Sequence, residues 1–242
     1  MKLNSKTSWL EGGPYLEVSF LLENKSNRIT FIKEILDKLK NIPYKYQIKA
    51  NNLKKEIDKF SEGYPYDEND PNTYQIHSVE IPLTINISKE RKSKLYFEEV
   101  SENTIQINFC FLCDTNKSKE DKKEDKDILA YTKFLSSLYE IFKFPIGVIS
   151  VENDCVTLFY DSDKAWPHED FKISNIDLPQ IVKSINNSYI YVLLIDSDYF
   201  PMIIANNSED FNFPAPSFCN LSPGLSYLGE SKIPIIINNI KE

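Results

Sequence analysis

Glycine is scarce in this chain, six in 242 residues, which argues against glycine-built phosphate cradles. Arginine is scarcer: Arg28 and Arg91 stand apart in loop-like settings, and lysine carries the rest of the positive charge. Clamping of a phosphate or carboxylate by several guanidiniums is therefore excluded. Histidine is limited to His77 and His168, which restricts imidazole-based proton transfer and metal ligation, and His77 reads as a structural residue within a strand. No H-E-x-x-H, G-x-S-x-G, Walker-type loop or dinucleotide fingerprint occurs. No apolar run reaches about 18 residues, and the opening residues Met1 to Gly13 lack an apolar core of signal-peptide length. The expectation is a cytoplasmic protein with no membrane segment.

Cysteine is also sparse. Cys110, Cys113, Cys155 and Cys219 do not form a disulfide framework for a chain of this length and read as reduced core thiols. Cys110 and Cys113 have the C-x-x-C spacing of a metal half-site, but they lie in an alternating strand. Residues three apart in a strand face opposite sides, so the two thiols diverge unless the strand ends or bulges at Leu112.

What is present is acid and rings. The net charge of −8 and pI near 5.0 argue against nucleic acid as a partner. Fifteen Phe and fourteen Tyr imply a ring-rich core with tyrosine hydroxyls near water.

Residues 14–23 alternate Tyr15, Glu17 and Ser19 against Leu16, Val18 and Phe20, the pattern of a strand with one buried face. A polar turn at 24–27 offers Ser26 or Asn27 as cap to a helix over 28–40 with the stripe Ile32, Ile35, Leu36, Leu39. A short helix over 53–60 stops at Gly63 and Pro65, and 64–74 reads as a turn-rich acidic loop. Residues 76–87 predict a strand or bent pair, with Pro82 demanding an edge or a bulge, and 94–100 and 104–113 predict further strands joined as a meander. The balanced charge run 117–127 reads as a solvated crossover. It leads to a helix over 126–143, capped by Asp125 or Asp127, with the stripe Ile128, Tyr131, Leu135, Leu138, Phe142.

Strands are expected at 145–151 and 155–160, then an Asp-rich loop at 161–170, a short helix over 175–185 and an apolar central strand at 189–196. A strand at 201–205, an irregular connection over 206–232 and an edge strand at 233–238 complete the chain. The fold class is α+β or mixed α/β: a mostly antiparallel mixed sheet with two main helices on one face, in which strand 14–23 with helix 28–40 and strand 104–113 with helix 126–143 could be half-repeats. The chain reads as a single globular domain over 1–242, with a subdivision at 14–100 and 101–242 as the alternative.

Two functional classes stay open. Tyr64, Tyr66 and Tyr74 alternate with Asp67, Glu68 and Asp70, while Trp166 and His168 sit among Asp161, Asp163, Glu169 and Asp170. Aromatic anchors ringed by carboxylates suit a basic protein partner, since rings supply contact area and acids steer association. That pattern implies a non-enzymatic, cofactor-free immunity or inhibitor-like protein, and leaves open whether the chain is a homo-oligomer. The alternative is a metal-dependent hydrolase using the 161–170 loop, in which Asp161, Asp163, His168, Glu169 and Asp170, joined by Asp196 and Asp198, would hold a divalent ion. Cys155 with His168 is a weaker nucleophile and base pairing.

Overall fold

The computed structural model describes residues 15–112, 121–159, 171–176, 190–196, 199–200, 226–227 and 235–238. The chain begins with β1 (Tyr15–Glu23), α1 (Arg28–Leu39), β2 (Tyr46–Ile48), α2 (Leu53–Glu62), β3 (Tyr64–Asp67) and β4 (Asp70–Ile76). It continues with β5 (Ser78–Asn86), β6 (Glu90–Ser101), β7 (Thr104–Leu112), α3 (Asp121–Phe142), β8 (Ile146–Val151) and α4 (Cys155–Phe159). A 3₁₀ turn at Ile173–Asn175, β9 (Ile190–Asp196), β10 (Ser226–Tyr227) and β11 (Ile235–Asn238) follow.

Nine strands form one sheet in the order β10-β11-β9-β8-β1-β7-β6-β5-β2, and β3 with β4 forms a separate hairpin. Every pairing in the large sheet is antiparallel except that of β9 with β11. This is the mixed, mostly antiparallel sheet with packed helices that the strand pattern predicts. The strands of the two strand–helix units, β1 and β7, are neighbours at its centre.

The alternation in each strand decides which face carries helices. Val18, Phe20, Phe97, Ile107, Phe109 and Ile149 are buried in one cluster with Ile32, Ile35 and Leu39 of α1 and Phe134, Leu135 and Leu138 of α3. Phe109 meets Phe134 edge-on at 5.2 Å, and Phe111 lies 5.0 Å from Tyr131. Full burial of such rings contributes roughly 1.5–3 kcal/mol each. Glycine is required at Gly147, opposite Phe20 in the ladder. A Cβ there would approach the Phe144 ring to 2.7 Å, and that ring stacks on Phe20 at 4.5 Å.

Local chemistry explains the departures from the sequence reading. Asn27 caps α1 by accepting from the Thr30 N–H, as expected. Helix α3 begins at Asp121, inside the charge run read as a loop; lysine and glutamate have high helix propensity and continue the helix toward its N-terminus. Residues 155–160 read as a strand, yet 155–159 form α4. Asp154 Oδ1 accepts from both the N–H and the hydroxyl of Thr157, so a cap overrides the β-branched Val156 and Thr157. The 64–74 loop is instead the β3–β4 hairpin. Strand β6 extends over 90–101, and 235–238 lies between β9 and β10 rather than at an edge. Pro82 fits because its carbonyl accepts from the Lys49 N–H just beyond the end of the three-residue β2, so its missing donor falls where the ladder has ended. The expected helix at 175–185 and strand at 201–205 lie outside the described residues, apart from the 3₁₀ turn ending at Asn175.

Candidate functional site

Gly63 sets the direction of the hairpin. Its N–H closes α2 on the Lys59 carbonyl, and its φ of +71° turns the chain directly into β3. Beneath it, buried His77 bonds through Nδ1 to the Phe60 carbonyl at 2.9 Å, the structural role expected of it. At the tip, Asp67 Oδ1 accepts from the Asn69 N–H at 2.8 Å and Asp70 Oδ1 from the Asn72 N–H at 3.0 Å. Thr73 Oγ1 donates to the Asp70 carbonyl and accepts from the Asp67 N–H. These short-range bonds hold the tip in one conformation. Tyr64 and Tyr66 are 48% and 58% exposed, and Asp67, Glu68 and Asp70 are exposed beside them. The structure thus brings five of the sequence-selected residues together on one hairpin. Tyr74 lies on β4, while Asp161, Asp163, Trp166, His168, Glu169 and Asp170 lie outside the described residues.

Sequence reasoning missed the second face of the sheet. Cross-strand partners there run Glu17, Cys110, Lys94; then Ser19, Asn108, Tyr96, Glu80; then Leu21, Gln106, Glu98, Ser78. This face receives the N-terminus of α4. The Cys155 N–H donates to Ser19 Oγ at 2.8 Å and the Val156 N–H to Gln106 Oε1 at 2.8 Å. Gln106 Nε2 donates to Asp154 Oδ2 at 2.8 Å and to Glu98 Oε2 at 3.3 Å, while Asn108 Nδ2 donates to Glu17 Oε2 at 3.2 Å. Burial and then the nearby Asp154 charge raise the carboxyl pKa values of Glu17 and Glu98 to about 7. Tyr96 donates to Glu80 at 2.8 Å, and Lys94 pairs with the same carboxylate at 3.0 Å. The face joins the hairpin directly, because the Tyr64 hydroxyl and Ser78 Oγ are hydrogen-bonded at 2.9 Å. The usable signal lay in T-I-Q-I-N-F-C, which alternates amide side chains with apolar residues in a central strand.

Burial pushes the thiols of Cys110 and Cys155 well above the ordinary range, and Cys155 Sγ donates to the Ser19 carbonyl. Neither is a poised nucleophile. Asp196, considered as a metal ligand, is buried and accepts from the Tyr139 hydroxyl at 2.8 Å. No group of three potential metal ligands occurs among the described residues. A cleft of about 410 Å³ near Phe31, Lys38, Phe142 and Tyr199 carries charges of both signs, with Lys25 on Glu23 and Lys143 on Glu140.

Protein-family models, curated proteins and solved structures contain no match to this chain. Among the described residues, no helix is long and apolar enough to cross a membrane.

Proposed function

We propose that this protein is a non-enzymatic acidic binding protein, of the immunity or inhibitor kind, that engages a basic protein partner through the β3–β4 hairpin. The observation that supports this reading is the exposure of Tyr64 and Tyr66, 48% and 58%, on a hairpin whose acidic tip is held by its own side-chain bonds. Rigid aromatic side chains lose little entropy on contact, and a preformed hairpin adds no ordering cost. Asp67, Glu68 and Asp70 supply the field that draws a basic surface toward them.

A photoreactive phenylalanine analogue at position 66 identifies the partner by cross-linking, and calorimetry on the purified pair measures its affinity. Tyr66→Ala is expected to weaken binding about tenfold or more, with the melting temperature unchanged. The triple substitution Asp67→Asn, Glu68→Gln, Asp70→Asn is expected to slow association and flatten its salt dependence. Full affinity in both variants refutes the assignment.

A further inference from the structure

Helix α4 is fastened to the sheet at its first two residues. The first N–H groups of a helix have no acceptors within it, and here two of them find acceptors on strands: Cys155 on Ser19 Oγ of β1, and Val156 on Gln106 Oε1 of β7. The Gln106 amide is engaged at both ends. Its Nε2 donates to Oδ2 of Asp154, which also caps α4 through Thr157, and to Oε2 of Glu98, its partner across the ladder on β6. Because one nitrogen serves both acceptors, the two carboxyl oxygens lie no farther apart than those bonds laid end to end, 2.8 and 3.3 Å. Glu17 stands on the same face and accepts from Asn108, two residues along β7.

The charges facing this fastening are mostly of one sign. Glu17 comes from β1, Glu98 from β6, Glu80 from β5, and Glu152 and Asp154 from the turn before α4. Lys94 is the neighbouring cation and pairs with Glu80, which also takes the Tyr96 hydroxyl; Lys92 is one alternation farther along β6. Strand β8 places Ser150 and Val148 opposite Glu17 and Ser19. The thiols of Cys110 and Cys155 complete the titratable set. Glu17, Glu98 and Asp154 form no ion pair among the described residues. Once Glu17 and Glu98 ionise, like charges crowd the amide that holds α4. The chain is fixed as far as Asn153, with Glu152 bonded to Tyr15 and Asn153 to Ser150 and Val151. Beyond it, α4 rests on Ser19 and Gln106, with Cys155 buried.

We propose that α4 is a proton-sensitive latch: it docks on the sheet while Glu17 and Glu98 are protonated, and releases from Ser19 and Gln106, with the sheet still folded, when they ionise. The latch stands apart from the hairpin's role, since no residue of β3 or β4 takes part. Docking adds to both causes that raise the two carboxyls, burial first and then Asp154. With the docked groups near 7 and the ordinary value near 4.5, docking is favoured most at low pH and loses that advantage as pH rises through 7. One group that returns to its ordinary range on release weakens docking about tenfold between pH 6 and pH 8.

Hydrogen exchange in the full chain, followed by NMR and divided by the intrinsic rate at each pH, reads the latch at the Cys155 and Val156 N–H groups, whose acceptors lie on the sheet. Their protection is expected to fall about tenfold or more from pH 6 to pH 8. It should be insensitive to about 1 M urea, since local release exposes little surface, and should stay well below that of the β1 and β7 amides. The double substitution Glu17→Gln, Glu98→Gln is expected to hold it level over that range. Protection in the wild type that does not change with pH overturns the latch, and so does a fall that survives in the double variant. Equal protection and equal urea dependence for α4 and the two central strands would mean that α4 leaves only with the whole fold, which also overturns it.

Discussion

The polar sheet face makes stability depend on pH in an unusual direction. Glu17 and Glu98 titrate near pH 7 in the folded chain and near 4.5 when unfolded. Between those values the folded state holds protons that the unfolded state releases, so these groups favour folding most at low pH, and their contribution is lost as pH rises from 4.5 through 7. Moving one carboxyl from 4.5 to about 7 corresponds to about 3 kcal/mol once both states are ionised. Both groups owe part of their rise to Asp154, so the pair costs less than twice that figure. Between pH 5.5 and pH 8 each group loses about 2 kcal/mol of this, and for a chain of this size each kilocalorie is about 2–4 °C in Tm, so the pair is expected to lower Tm by about 4–16 °C over that interval. Thermal melts at constant ionic strength read this directly. Replacing Glu17 and Glu98 by Gln should flatten the profile and raise Tm at pH 8 above that of the wild type, with the Gln106 amide still able to donate to position 98. A wild-type profile that is level or rising from pH 5.5 to 8 would refute the reasoning, and so would a slope that survives in the double variant.

Two further substitutions test the close approaches that shape the fold. Gly147→Ala puts a methyl group 2.7 Å from the Phe144 ring and 3.1 Å from Leu135, and should cost about 1–3 kcal/mol in urea unfolding through overpacking; a loss below about 0.5 kcal/mol would show that the Phe20–Phe144 stack yields easily. Gly63→Ala combines a positive φ with a 2.7 Å approach to the His77 ring, and should cost about 1–3 kcal/mol while shifting the amide resonances of 64–76 more than those of β1 and β7. Uniform shifts across the sheet would show that Gly63 does not set the hairpin's direction.

The helix-bearing half of the architecture was legible because one face of each strand is apolar without interruption. Leu16, Val18 and Phe20 on β1 and Ile105, Ile107, Phe109 and Phe111 on β7 keep a period of two, while Ile32, Ile35, Leu36 and Leu39 on α1 keep the helical one. Those periods specify which residues meet. Residues 155–159 were misread because Val and Thr favour strands, whereas the deciding groups are Asp154, one residue before, and Gln106 and Ser19, distant in sequence. A helix start that depends on side chains from two other strands leaves only half its signal in the local sequence.

The two parts of the candidate site differ in the same way. Tyr64, Tyr66, Asp67, Glu68 and Asp70 lie within seven residues, so their grouping survived even though the segment was read as a loop. Glu17, Asn108 and Glu98 come from three strands, and each sits at the polar position of an ordinary alternating pattern, where a residue is expected to face water. Their distinction is that α4 and the neighbouring strands cover that face in part. Asn108 becomes buried, and the two glutamates become reluctant acids. The chemistry of the face is therefore a product of register: a slip of one residue between β7 and β1 would send Asn108 among the phenylalanines and dissolve the arrangement.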